Sequence, residues 1–472
     1  MNVDRSDALV LFGATGDLAH RKIFPAVLAL FERGYDVPLI GVAKSGMTRD
    51  DAAQRLKDSL EQFGDPQQLA ARSRLLENFQ YIDGDYRDAA TFDALEKALA
   101  GRRRPLFYLA IPPSLFGTVV SALKKEGLAD GGRVVVEKPF GRDLESAKAL
   151  NAVLRGAFEE SAVFRIDHYL GKESVQNLLL FRFANSFLEP IWNRNYVDCV
   201  SVTMAETIGV EGRGRFYEEV GAIRDVVQNH MLQVVTHVAM EPPVGRSNEA
   251  LRDEKMRVLR SIRTVTGRSL VRGQYRGYTR EPGVAPDSKV ETYAAMQLHL
   301  DSWRWEGVPF FIRAGKRLAV AATEVLVRLK RPPRRVFAES GEGPGNYFRF
   351  RLGPERVSIA IGAQAKKFGK DQLGEAVELY FCNMDEDEMS AYERLIAAAM
   401  DGDPTLFARE DAVLEAWRIL DPLFHTTTQV FPYEPGSWGP PEANRLERPG
   451  HRWPTPAATD QARLEAGSAA SR

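Results

Sequence analysis

Seven histidines occur in this chain of 472 residues, and two of them sit in polar surroundings fit for acid–base work. His168 lies in Arg165-Ile166-Asp167-His168-Tyr169-Leu170-Gly171-Lys172-Glu173, and His230 lies in Asp225-Val226-Val227-Gln228-Asn229-His230-Met231-Leu232-Gln233. A neutral imidazole titrating near pH ~6.5 suits the removal of a hydroxyl proton while hydride leaves the same carbon. On residue type and setting, either histidine serves. His237 stands two helical turns beyond His230, a rise of ~10 Å that is too long for one shared ion. No metal site is expected, and His237 reads as a core residue.

Phosphate groups need cations and backbone donors. Gly13-Ala14-Thr15-Gly16-Asp17-Leu18-Ala19 follows an apolar run and opens a helical segment, where backbone N–H groups can approach a pyrophosphate. Its G-x-x-G-x-x-A spacing is a variant of the dinucleotide fingerprint, and a glycine turn alone has little specificity. Pro25 falls inside that helix, which predicts a kink or a late start. The second apolar run ends in Gly41-Val42-Ala43-Lys44-Ser45, without the carboxylate that binds ribose hydroxyls. Lys44 therefore favours a 2′-phosphate, and the alternative is a solvated lysine at a strand end. Arg133 to Glu137 runs into Lys138-Pro139, and the proline restricts Lys138 to an extended backbone at a strand's carboxyl end. Two basic clusters, His168/Tyr169/Lys172 and Arg313/Lys316, offer donors for a phosphate dianion, and either could equally be an ordinary solvated face.

The elements that must hold these groups follow from periodicity. Apolar runs at Ala8 to Phe12, Pro38 to Ala43, Phe79 to Asp83, Leu106 to Ile111 and Arg133 to Glu137 alternate with helical segments. One such segment, Ser114 to Gly127, stripes Leu115, Val119 and Leu123 before a capping glycine. This order predicts a doubly wound parallel sheet. From about Val197 the period becomes two, at Val200 to Met204, Val325 to Leu329 and Val357 to Ile361, as expected for an antiparallel sheet buried on one face. Helices at Glu218 to Met240, Ala391 to Met400 and Glu410 to Leu420 are expected to cover that face. The expected domains are 1–178, 179–454 and a flexible tail at 455–472.

With 63 Lys+Arg against 64 Asp+Glu, the chain lacks the cationic surplus of a general nucleic-acid binder. Two cysteines, Cys199 and Cys382, fit a reducing compartment, so a cytoplasmic location is expected. The polar start and the lack of any apolar run near ~20 residues predict neither a signal peptide nor a membrane span.

The quoted blocks, with Phe183-Ala184-Asn185, Pro190-Ile191-Trp192-Asn193-Arg194, Glu211-Gly212-Arg213-Gly214, Tyr392-Glu393-Arg394-Leu395-Ile396 and Gly436-Ser437-Trp438-Gly439-Pro440, resemble the glucose-6-phosphate dehydrogenase family over nearly the whole chain. The block around His168 is the most specific. The resemblance implies a Rossmann domain, an α+β domain with a large, mainly antiparallel sheet, and oxidation of glucose 6-phosphate at carbon 1 by NADP. It selects His230 as general base and Asp167 as the carboxylate that orients it. His168, Tyr169 and Lys172 would hold the 6-phosphate, Glu206 and Asp225 the sugar hydroxyls, and Lys316 would face the sugar. Lys138 would lie between sugar and nicotinamide. The implied coenzyme set is Gly13, Ala14, Thr15, Gly16, Asp17, Leu18, Ala19, Lys22, Lys44, Tyr108 and Lys138.

Ala321 and Gly362 depart from the family's basic residue and glutamine, which bears on sugar specificity. Ala322 replaces a lysine of members that bind a second, structural NADP. Lys44 stands where many members have arginine, so use of NAD stays open. The family implies a homodimer or homotetramer. The alternatives are a related NAD-dependent dehydrogenase of unphosphorylated sugars, disfavoured by His168 and Lys172, and a silent NADP-binding regulator, disfavoured by the presence of Asp167 and His230.

Overall fold

The computed structural model describes residues 5–334, 345–353, 358–366, 374–382, 389–425, 428–447 and 452–458. It divides into two units. The first comprises Met1–Glu173, Pro243–Asp253 and Asp387–Leu414, and the second Ser174–Pro242, Glu254–Glu386 and Glu415–Arg472. Most of the tail expected from residue 455, namely 459–472, lies outside the described residues.

The first unit is built on β1 (Ala8–Phe12), β2 (Leu39–Ala43), β3 (Phe79–Asp83), β4 (Pro105–Leu109), β5 (Arg133–Glu137) and β6 (Val163–Ile166). They lie in the order β6-β5-β4-β1-β2-β3 and pair in parallel. A two-residue strand, Phe407–Ala408, joins the β6 edge in antiparallel sense. Every residue of β1, β2 and β4 is buried, as parallel strands covered on both faces require. The order reverses between β1 and β4, which is where a doubly wound sheet opens a ligand crevice. After β1 the chain makes one π-helical turn, Ala19–Ile23, before the α-helix Phe24–Glu32. The change of pitch comes where Pro25, which has no N–H, occupies the first turn. Of the kink or late start expected from the sequence, the chain shows a change of pitch inside a helix that already begins at Asp17.

Helix Ala391–Asp401 does not cover the second sheet as expected. Its Leu395, Ile396, Ala399 and Met400 complete the first unit's core with Leu9, Leu11 and Phe164. A Ser390/Glu393 capping box starts it, Gly402 in the left-handed region ends it, and Arg33 binds Glu393 at 2.6 Å. An amphipathic stripe states that a helix is buried on one side without stating against which sheet.

The second unit contains β7 (Val197–Ala205), β8 (Leu270–Tyr275), β9 (Tyr293–Leu298), β10 (Phe310–Gly315), β11 (Ala322–Leu329), β12 (Tyr347–Gly353), β13 (Ser358–Lys366) and β14 (Gly374–Cys382). With strand Val430–Tyr433 at the far edge, the order is β14-β13-β12-β11-β7-β10-β9-β8-Val430. Pairing is antiparallel except between β7 and β10 and at Val430–Tyr433. The central β7 is not half-buried as its alternation predicts, because Ser201 and Thr203 are buried as well. Trp453 lies over that side of the sheet, its ring 5.5 Å from Phe311.

The helix expected over Glu218 to Met240 is three segments: Gly214–Ala222, a π-helix Ile223–Met231 and an α-helix Leu232–Ala239. The break is at Gly221, with φ +62°, where a Cβ would meet Glu291 Oε1 at 2.5 Å. Glu291 in turn accepts the Ile223 N–H at 3.2 Å and starts the next segment. Among the described residues no helix is long and apolar enough to cross a membrane.

Candidate active site

The first unit collects its coenzyme-type residues at the carboxyl ends of its strands. Gly13, just past β1, has φ +83°, and a Cβ there would lie 2.2 Å from the Ala110 carbonyl oxygen. Only glycine lets the chain pass that close. The Gly13 N–H is held by Val42 O at 2.9 Å and Tyr86 Oη at 3.0 Å, and Gly16 N–H returns to Gly13 O at 2.9 Å. Ala14 and Ala19 are buried, Thr15 and Leu18 half-buried, and Gly16 and Asp17 exposed. The first helical bond runs from His20 N–H to Gly16 O at 3.1 Å, so the helix opens directly out of the glycine turn. A helix N-terminus behind a glycine turn fits a pyrophosphate.

Lys44 directly follows β2, exposed, with Nζ 2.7 Å from Asp85 Oδ2. Hydrogen bonding to Asp85 holds its ammonium above the ordinary lysine value. The following turn is fixed from β3: Asp83 Oδ1 accepts the N–H groups of Ser45 and Gly46, both at 2.9 Å, and those bonds pull Asp83 below the usual carboxylate range. Lys44 and Ser45 thus present a cation and a hydroxyl beside the glycine turn, which suits a dinucleotide carrying a 2′-phosphate. Lys22 is exposed on the π-helical turn. Tyr108, wholly buried on β4, donates its hydroxyl to Glu137 at 2.6 Å, and Lys138 follows with a cis bond to Pro139.

The Asp167 to Lys172 block leaves β6 as a tight turn. Asp167 Oδ1 accepts the Tyr169 N–H at 3.0 Å and its carbonyl accepts Leu170 N–H at 2.9 Å. The His168 and Tyr169 rings lie 5.1 Å apart, and Lys172 Nζ sits 3.9 Å above the Tyr169 ring. Burial lowers the Lys172 ammonium from its ordinary value, against the pull of Asp167.

The second unit contributes further groups. The parallel pair β7 and β10 is in register at Ala205 and Gly315, so Glu206 and Lys316 leave adjacent strand ends side by side. Lys316 Nζ meets Glu206 Oε1 at 2.6 Å and lies 3.8 Å from Asp225 Oδ2. Asp225 and His230 both stand on the π-helix, separated by one i→i+5 turn, the rare helix type that recurs at functional sites. His230 is buried, and its backbone N–H donates to Asn229 Oδ1 at 2.6 Å. Tyr217 packs its ring 5.7 Å from Lys316 Nζ, and burial raises its hydroxyl well above the ordinary tyrosine value. His237 is the expected core residue, bonded to Gln233 O at 2.8 Å.

The paired cluster Arg313/Lys316 does not form. Three residues apart at a strand end, the two side chains take opposite faces. Arg313 is buried between Trp438 and Trp453, 4.5 and 5.3 Å from their rings, and bonds the Pro454 carbonyl. Gly362 has a packing reason, since a Cβ there would lie 2.3 Å from the Tyr347 ring. Ala321 offers its carbonyl to Arg351 at 2.9 Å, and Ala322 is buried in β11. Sequence reading missed Tyr86, Asp83, Asp85, Glu137 and Tyr392 as supports. Glu137 carried a signal in its place beside Lys138, and Tyr392 in opening one of the family blocks.

Residues 10–177 match the family described as glucose-6-phosphate dehydrogenase, NAD binding domain, and residues 179–454 match glucose-6-phosphate dehydrogenase, C-terminal domain. Glucose-6-phosphate 1-dehydrogenase 1 of Mycobacterium tuberculosis is 42% identical over 460 residues, covering 96% of this chain and 97% of that protein. The Bacillus subtilis enzyme is 37% identical over 474 residues, covering 93% of this chain and 96% of that protein. The crystal structure of the Mycobacterium avium enzyme superposes with a TM-score of 0.89 at 42% identity, covering 96% of this chain and 99% of that one. A glucose-6-phosphate dehydrogenase in complex with glucose 6-phosphate gives a TM-score of 0.86 at 34% identity, with the same coverage. With both of its units matched and relatives of one activity aligned from end to end, the chain belongs to the glucose-6-phosphate dehydrogenase family.

Proposed function

We propose that this protein oxidises glucose 6-phosphate at carbon 1 to 6-phosphogluconolactone with NADP, the entry reaction of the oxidative pentose phosphate pathway. The observation that carries the reading is the second unit's cluster of Glu206, Lys316 and Asp225, with His230 one π-turn from Asp225, in a chain aligned end to end with enzymes of that name. NADP, when bound, supplies the hydride acceptor. His230 takes the carbon-1 hydroxyl proton, and Asp167 orients the imidazole and stabilises its protonated form. Glu206 and Asp225 accept from sugar hydroxyls, and Lys316 holds Glu206 in position. His168, Tyr169 and Lys172 bind the 6-phosphate, which gains charge-assisted bonds that free glucose lacks. Lys138 lies between sugar and nicotinamide.

A second coenzyme reading rests on the Lys44 to Asp85 pair. A lysine already sharing its charge with a carboxylate rewards a 2′-phosphate less than a free guanidinium does, so NAD also serves. The protein works in the cytoplasm as a homodimer or homotetramer. Steady-state reduction of NADP and NAD, each with glucose 6-phosphate and with glucose, tests the reading. Turnover with the phosphate ester, faster with NADP, is expected, and no NADPH from glucose 6-phosphate would sink it.

A further inference from the structure

One carboxyl group in the first unit has more partners than any assigned role explains. Glu137 is the last residue of β5, immediately before Lys138. Tyr108 of β4 donates its hydroxyl to Glu137 Oε1 at 2.6 Å. Tyr392, from helix Ala391–Asp401, hydrogen-bonds the same carboxyl, and so does the backbone N–H of Lys138. The helix that brings Tyr392 is itself fixed: Arg33 holds Glu393 at 2.6 Å, and Arg5 and Tyr35 hold Asp401 at 2.7 and 2.8 Å. Three donors from three places in the chain thus converge on one carboxyl, and one of them is the main chain of the lysine assigned to the sugar and nicotinamide.

We infer that Glu137 is a positioning residue for Lys138: clamped between the Tyr108 and Tyr392 hydroxyls, its carboxylate fixes the backbone from which the Lys138 ammonium projects. Successive strand residues point to opposite faces, so holding Glu137 against the tyrosines turns Lys138 the other way. A carboxylate is needed because only an acceptor-only group takes all three donors, whereas a protonated carboxyl or an amide has a donor of its own to place. Burial pushes the Glu137 carboxyl up to about 7, opposed by Tyr108, Lys138 and Tyr392. The ionisable groups around it are Tyr108 on β4, Lys138 on its own strand and Tyr392 on the helix, with Asp167 acting on Tyr392 from beyond β6. The clamp is complete when Glu137 is ionised and loosens as the pH falls below neutrality.

This inference rests on the proposed role of Lys138, so both residues are changed. Glu137→Gln, Lys138→Gln and the double variant are compared in full-length enzyme with glucose 6-phosphate and NADP from pH 6 to 8.5, with thermal unfolding as a check on folding. Lys138→Gln is expected to lower kcat ~100-fold, and Glu137→Gln ~10-fold at pH 8 with both KM values changed less than about threefold. The wild-type to Glu137→Gln ratio of kcat should shrink toward one at pH 6, and the double variant should be no slower than Lys138→Gln. Tyr392→Phe, which removes one donor of three, is expected to cost about two- to threefold. A Glu137→Gln enzyme within twofold of wild type at pH 8, beside an impaired Lys138→Gln enzyme, overturns the inference alone. So does a pH-independent ratio, or a double variant in which the two losses multiply. An unimpaired Lys138→Gln enzyme overturns the role of Lys138 and the inference with it.

Discussion

Lys44 and Lys316 both follow a strand and both meet a carboxylate, at 2.7 Å from Asp85 and 2.6 Å from Glu206, yet the first side chain is 70% exposed and the second 5%. The difference follows from what each region is built to do. At the carboxyl ends of the parallel strands in the first unit, backbone N–H groups and a glycine turn supply the donors, and the side chains around them are largely solvated. In the second unit the groups are side chains, held among one another by β7, β10 and the π-helix. A solvated pair can exchange its partner for a ligand phosphate at little cost. A buried lysine such as Lys316 cannot lose its partly exposed carboxylate partners without leaving its charge in a poor solvent. Coenzyme preference is therefore the adjustable property, and sugar recognition the one whose parts must be kept together.

The strongest test of the buried region removes its base. His230→Asn is expected to lower kcat ~100-fold or more with little change in either KM, as for a group acting on the proton alone. A loss confined to KM would make His230 a binding residue. Next in size, Lys316→Met leaves Glu206 and Asp225 without their cation, and the KM for glucose 6-phosphate should rise ~30-fold with a lower thermal midpoint. If Lys316→Met proves as mild as the change at Lys44, the contrast between the two regions fails.

On the exposed side, Lys44→Ala should raise the KM for NADP ~10-fold and leave that for NAD nearly unchanged, with no shift in thermal midpoint. Asp85→Asn should act in the opposite direction, lowering the KM for NADP about two- to threefold by releasing Lys44. Equal effects of Asp85→Asn on both coenzymes would dissociate the pair from 2′-phosphate selection.

Glu137 is the exception within the first unit, a desolvated carboxyl, and its effect on stability is small beside its effect on turnover. Its folded value of about 7 lies above the ordinary glutamate value of 4.5. Between the two the folded state holds the proton and the unfolded state does not, so this group's contribution to stability falls as pH rises from about 5 to 7.5. Glu137→Gln has no such proton, and its thermal midpoint should gain on wild type by a few degrees over that range. A constant gap between the two unfolding curves would show that the carboxyl titrates in its ordinary range.

Much of the first unit was legible because its central strands are buried on both faces and spell themselves as apolar runs, and β1, β5 and the partly exposed β3 begin and end where the runs do. The glycine turn, Lys44 and Lys138 were legible for the same reason, since each stands at the end of such a run. In the second unit alternation marked β7, β11 and β13 but misstated the burial of β7, because Trp453 lies over the face that carries Ser201. Arg313 and Lys316 looked like one cluster until strand geometry parted them. The roles of His168 and His230 were not separable by composition, since both lie in equally polar blocks. The family resemblance chose between them.

Residue type and local period, which are properties of neighbours along the chain, determined the parallel and antiparallel halves, the phosphate turn and the short set of groups able to move a proton. What only tertiary structure decided were the encounters between distant segments. Helix Ala391–Asp401 joins the first sheet and delivers Tyr392 to Glu137. Gly221 yields to Glu291 and starts the π-helix that carries Asp225 and His230. The registered ends of β7 and β10 set Glu206 against Lys316. Each depends on which surfaces bury one another, a choice made by the summed packing of the whole chain and carried by no single stretch of it.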